Sequence, residues 1–156
     1  MENRSEDSFR KFQKKAELWL EEVSIRLAIK AGHAIEKHVC ENHIKAQEYL
    51  NQINTQRTLN SEFVLKKRSS FANPEALVFF VIKAIRENKL EINDWVSSSE
   101  DFLLLSYYDP EIQDTILTVG IDESNFDHPT TIQIVLAKKA YLPTGYYVLT
   151  AYPSDR

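Results

Sequence analysis

Apolar residues return at three- and four-residue steps from Ser5 onward, through Phe9, Phe12, Ala16, Trp19, Leu20, Val23 and Leu27. That spacing keeps to one side of a 3.6-residue helix, and Ser5 can cap its start, so a long first helix is predicted. Gly32 interrupts or ends it. A second helical pattern runs from near His33 to about Cys40, and a third from Ile44 to Ile53 with Ala46, Tyr49, Leu50 and Ile53 on one side. Residues 54–60 are polar and read as a loop. The stretch from Phe63 to Phe71 opens apolar, crosses a basic cluster and fits neither period. Asn73 followed by Pro74 is a helix-start signal, because asparagine caps and proline tolerates the first turn. The helix predicted from Pro74 to about Asn88 is apolar on most sides through Leu77, Val78, Phe79, Phe80, Val81 and Ile82, which calls for burial. A short helix over Glu91 to Val96 and a turn at Ser97 to Ser99 follow.

The period then changes. Phe102 to Tyr108, Thr115 to Ile121, Thr131 to Ala137 and Tyr146 to Tyr152 are rich in β-branched and aromatic residues and are separated by turn clusters such as DPEIQD and SNFDHPT. Helices first and closely linked strands afterwards predict an α+β fold, with N-terminal helices packed on a C-terminal antiparallel β-sheet.

Composition narrows the class. A chain of 156 residues with 43% hydrophobic content is enough for one sizeable core. The charged N-terminus has no signal-peptide core and no run is long enough to span a membrane, so the chain as written is expected to be cytoplasmic, without a membrane partner. The single cysteine, Cys40, cannot form an internal disulfide. A net charge of −4 argues against binding along a nucleic-acid backbone over a broad surface. Lys66, Lys67 and Arg68 form the one compact basic cluster, either a solvated loop or a local positive field for RNA.

The stretch GHAIEKHV, residues 32–39, holds two of the four histidines on helical spacing. Ala31, Ile35 and His38 share a face, with Ala34 beside them, so His38 points toward the sheet. It is either a satisfied core histidine or an acid or base. His33 lies with Lys30 and Lys37 on the other face, where a solvated basic stripe competes with a site role. The five-residue steps between His33, His38 and His43 set successive rings about 140° apart on a helix, so they do not hold one metal, and no cofactor is expected. Along the last strand, alternation assigns Tyr146, Val148, Thr150 and Tyr152 to one face and Tyr147, Leu149 and Ala151 to the other. Thr150 and Tyr152 therefore share a side, either facing water or meeting a ligand. Cys40 reads as a small packed residue.

In order, GHAIEKHV, RSSFANPEAL, a short helix ending at Trp95 and the final GYYVLTAYP resemble the bacterial ribonuclease A-like domain, the C-terminal toxin domain of contact-dependent growth inhibition proteins. The resemblance covers roughly Gly32 to Pro153. It divides the chain into an N-terminal helical extension, 1–31, and a ribonuclease A-like domain, 32–156, packed as a single globular unit. It implies a ribonuclease A-like fold without disulfides. It also implies a site built from the histidine of KHV, an arginine shortly after it, and the threonine and tyrosine of TAYP. Here these are His38, Thr150 and Tyr152, with His33 in second rank. The arginine has no residue at the family spacing: alignment on Tyr49 and Leu50 puts Gln52 there, with Arg57 and Arg68 the next candidates. Cys40 stands where the family carries glycine.

The implied activity is metal-independent endonucleolytic cleavage of single-stranded RNA by its own 2′-hydroxyl, giving a 2′,3′-cyclic phosphate. DNA is spared because it lacks that group. The reaction needs a base for the 2′-hydroxyl proton, an acid for the leaving 5′-oxygen and donors to the phosphate. His38 suits acid or base because an unperturbed imidazole titrates close to working pH, Tyr152 would donate to the phosphate or the leaving oxygen, and Thr150 would bond a base edge or a phosphate oxygen. The implied partners are RNA and a cognate immunity protein, with delivery into a neighbouring cell. The rival reading is a catalytically inactive ribonuclease-fold module that binds RNA or a protein.

Overall fold

The computed structural model describes residues 4–39, 48, 51–52, 67–120 and 129–154. Helix α1, Arg4–Lys30, ends where the sequence places its stop, at the turn of Ala31 and Gly32. Its buried stripe is made by Ile25, Ala28 and Ile29, while Phe9, Phe12, Trp19, Leu20 and Leu27 are exposed. Only the last turns of the helix therefore join the core, where α1 lies against β5, Tyr146–Ser154, and against α3, Pro74–Glu87. Burial of Ile25 and Ile29 contributes about 2 kcal/mol each. Glu21 ties the helix down, accepting from Arg86 Nε at 2.9 Å and Lys89 Nζ at 3.3 Å. Partial burial works to raise its carboxyl pKa, but these two cations hold it below the ordinary value.

Helix α3 begins as Asn73–Pro74 predicts, with the Ala76 N–H donating to Asn73 Oδ1 at 2.8 Å. Leu77, Val78, Phe80, Val81, Ile82, Ala84 and Ile85 are buried, and only Phe79 of the apolar run faces out. Helix α4, Lys89–Val96, closes the other end of the core with Ile92 and Trp95. The Trp95 ring lies 6.1 Å from that of Tyr146 and carries Lys138 Nζ at 5.6 Å.

A three-stranded antiparallel sheet has the order β2–β4–β5, with β2 at Phe102–Tyr108 and β4 at Thr131–Lys138. A separate antiparallel pair joins β1, Lys67–Phe71, to β3, Ile116–Gly120, after a 3₁₀ turn over Pro110–Thr115. The ambiguous basic stretch is thus a strand from Lys67 onward. It reads poorly as one because its partner lies far along the chain. The core face of the larger sheet is lined by Leu105, Ile132, Ile134, Leu136, Val148 and Ala151.

Register shifts between Val135 and Leu136: Val135 faces Thr150 and Leu136 faces Val148, so Leu149 is an extra residue on β5. This bulge changes which side chains share a face. Tyr146, Val148, Ala151 and Pro153 are buried, while Thr150 and Tyr152 are half-buried on the opposite side. Unbroken alternation groups Tyr146 and Val148 with Thr150 and Tyr152. The bulge separates those pairs, and Thr150 and Tyr152 still lie together.

Candidate active site

Two elements far apart in sequence meet at β5. Helix α2, Ala34–His38, starts directly on the bulge: the His33 N–H donates to the Leu149 carbonyl at 3.1 Å. Gly32 makes that approach possible, since a Cβ there would lie 1.6 Å from the Val148 carbonyl oxygen. Ala34 is fully buried beneath the helix. One residue beyond the helix, Val39 forms a parallel bridge with Phe71 of β1. With both ends of α2 fixed, the His38 ring stands 5.5 Å from the Tyr152 ring, tilted by 41°.

Thr150 lies two residues from Tyr152 on the same face, and its Oγ1 is buried with no hydrogen-bond partner among the described residues. A buried hydroxyl left so is costly unless something else supplies a partner, and Ser70 Oγ and Trp95 Nε1 are in the same state among the described residues. Next to Tyr152, across the sheet, stands Gln133, and opposite Gln133 stands Ser106. The Ser106 hydroxyl donates to Gln133 Oε1 at 2.7 Å. Sequence reasoning missed both residues. The signal that finds them is cross-strand register, which no single-strand pattern carries.

The other predicted residues are placed differently. The His33 side chain is exposed, with Nδ1 3.6 Å from Glu36 Oε2, and its backbone N–H rather than its ring meets β5. Lys67 and Arg68 lie in β1. Lys66, Arg57, Cys40 and His43 fall outside the described residues, as does most of the predicted third helix. Among the described residues, no three His, Cys, Asp or Glu side chains cluster as a metal site.

A second polar cluster sits at the end of β2. Asp109 Oδ2 accepts from Lys83 Nζ at 3.1 Å and from the Tyr107 hydroxyl at 3.3 Å, while Oδ1 accepts from the Glu111 N–H at 3.0 Å. Burial pushes the Asp109 carboxyl up, but these donors, led by the Glu111 backbone, bring it below the usual carboxylate value. The bond to Asp109 raises the Lys83 ammonium, and burial raises the Tyr107 phenol.

Residues 32–153 match one family, described as the bacterial CdiA-CT RNAse A domain. The chain belongs to that family. CdiA-CT RNase A domains are toxin nucleases of ribonuclease A type, and the match takes in α2, both sheets and every described site residue, while α1 precedes it. A chain in the crystal structure of a CdiA-CT/CdiI complex from Y. kristensenii 33638 is similar, with a TM-score of 0.57 and 25% identity, over 79% of this chain and 99% of that one. No curated protein matches. Within the described residues no helix is long and apolar enough to cross a membrane.

Proposed function

We propose that this CdiA-CT RNase A domain is a metal-independent endoribonuclease for single-stranded RNA. The observation that carries the reading is the ring contact of His38 with Tyr152, 5.5 Å between centroids, next to a Thr150 hydroxyl with no partner among the described residues. An imidazole and a phenol at one spot supply a group able to take or give a proton and a hydrogen-bond donor. In the reaction the 2′-oxygen bonds to phosphorus as its proton passes to a base. The bond from phosphorus to the 5′-oxygen breaks as an acid protonates that oxygen, and the product ends in a 2′,3′-cyclic phosphate. His38 serves as base or acid, Tyr152 donates to the phosphate or the leaving oxygen, and the Thr150 hydroxyl takes a base edge or a phosphate oxygen. The nucleophile is internal to the substrate, so the step calls for no metal.

The biological role that goes with this chemistry is that of a toxin delivered into a neighbouring cell and held in check by a cognate immunity protein, as CdiA-CT is found with CdiI in the similar structure. The test is cleavage of a mixed-sequence single-stranded RNA, with EDTA present, by the wild type and by His38→Ala, with analysis of the new termini. Cyclic phosphate ends from the wild type alone are expected. RNA left intact by the wild type at high enzyme concentration would replace the enzyme with a catalytically silent binding module.

A further inference from the structure

The His38–Tyr152 pair stands at one margin of a face whose other margin, on β2, is exposed. Neighbouring strands lie about 4.8 Å apart, so the row Tyr152, Gln133, Ser106 crosses the sheet with Gln133 about 5 Å and Ser106 about 10 Å from Tyr152, backbone to backbone. The Ser106 hydroxyl occupies Gln133 Oε1, which orients the carboxamide and leaves its N–H donors for another acceptor. Along β2, alternation puts Phe102, Leu104 and Tyr108 on the same side as Ser106, and they are 59%, 61% and 66% exposed. An edge strand protected against association carries charges at such positions, and this one carries rings and a leucine. Tyr147 of β5 also points to this side, with Lys139 Nζ 5.0 Å from its ring centroid.

Exposed rings, an oriented amide and a cation beside a phosphoryl-transfer pair are the parts with which proteins hold single-stranded nucleic acid: bases stack, amides take base edges and cations follow the backbone. The net charge of −4 gives this chain little general attraction to phosphate, so contacts to the bases carry more of the affinity.

We propose that the open face of the β2–β4–β5 sheet is the base-binding surface for single-stranded RNA, with Gln133 taking the edge of the base next to the cleaved phosphate and Tyr108 stacking a neighbouring base. This rests on the ribonuclease reading and extends it. Tyr108 lies two strands across and two residues along from Tyr152, about 12 Å away, beyond the nucleotide that Gln133 serves.

The experiment uses the full chain and its Tyr108→Ala, Tyr108→Leu and Gln133→Leu variants, each checked by thermal melting. Cleavage of dinucleotides is compared with cleavage of hexanucleotides that vary in base. Both Tyr108 variants are expected to raise KM for hexanucleotides about 5- to 150-fold, the worth of one stacked base, with kcat and dinucleotide cleavage unchanged. The leucine keeps apolar bulk without a ring, so it separates stacking from packing. Gln133→Leu is expected to change the ratio of cleavage among bases about tenfold while the total rate stays closer to wild type. Unchanged hexanucleotide KM together with an unchanged base ratio would overturn the proposal. An NMR titration with a 2′-O-methyl hexanucleotide, which lacks the nucleophile, keeps the surface testable even if the wild type leaves RNA intact and the ribonuclease reading falls. Shifts at Tyr108 and Gln133 support the surface. Their absence overturns it and leaves the face to a protein partner.

Discussion

His38 and Tyr152 meet at one margin of the three-stranded sheet, and Lys83, Tyr107 and Asp109 meet at the end of its outer strand β2. Both sets mix titratable groups, yet they are finished differently. Asp109 accepts on both oxygens from three donors, and its bonds run between α3, β2 and the 3₁₀ turn. Beside Tyr152, the buried Thr150 hydroxyl has no partner among the described residues. A closed cluster holds elements together, whereas on the proposed reading the other set is completed by the substrate. Shifted ionisation alone would have pointed to this closed cluster and to Tyr146, whose phenol burial pushes up to about 12.

Substitutions can break this contrast. His38→Ala is expected to lower RNA cleavage by about 10³-fold, roughly 4 kcal/mol of transition-state stabilisation, while the melting curve moves by less than about 0.5 kcal/mol. Gly32→Ala should sit between the two behaviours. Its Cβ collides with the Val148 carbonyl, so stability falls by about 1–3 kcal/mol and cleavage falls as α2 moves off the bulge, measured by melting and kinetics on one sample. Asp109→Ala is expected to cost about 2 kcal/mol of stability through the lost cap and the stranded donors, with cleavage per folded molecule unchanged.

The smallest effect is the pH response of the closed cluster. Asp109 has a folded-state pKa below its unfolded value, so its contribution is present above the ordinary carboxylate range and lost as pH falls through the folded value. Lys83 is raised, so its contribution is present below the ordinary lysine value and lost as pH rises through the folded one. Denaturant melts of wild type and Asp109→Asn should therefore differ by a constant amount between about pH 5 and 9 and converge in acid. A difference that grows toward acid pH would contradict the assignment.

Much of the fold was legible because its signals are local. The stop at Gly32, the cap at Asn73 and the alternation of β2, β3, β4 and β5 each depend on a few adjacent residues. The bulge was not legible, since an extra residue on β5 shows itself only against the register of β4. Strand β1 was hidden for the same reason, its pairing being with residues about fifty positions away. His38, Thr150 and Tyr152 could be picked from motifs, and the structure brings His38 to Tyr152 with Thr150 on the same face. The placements of the His33 backbone and of Gln133 came from neighbours across strands. The apolar stripe of α1 was visible as a stripe, but the turns that bury residues are set by where β5 and α3 happen to meet the helix.

The matched stretch and the folded unit differ in length. The family match opens at Gly32, yet Ile25, Ala28 and Ile29 fill seats against the last strand and α3. A fragment cut at the family boundary would keep the described catalytic candidates and expose a strip of its own interior to water. The stretch that the family match covers is shorter, by the last turns of one helix, than the unit that excludes solvent here.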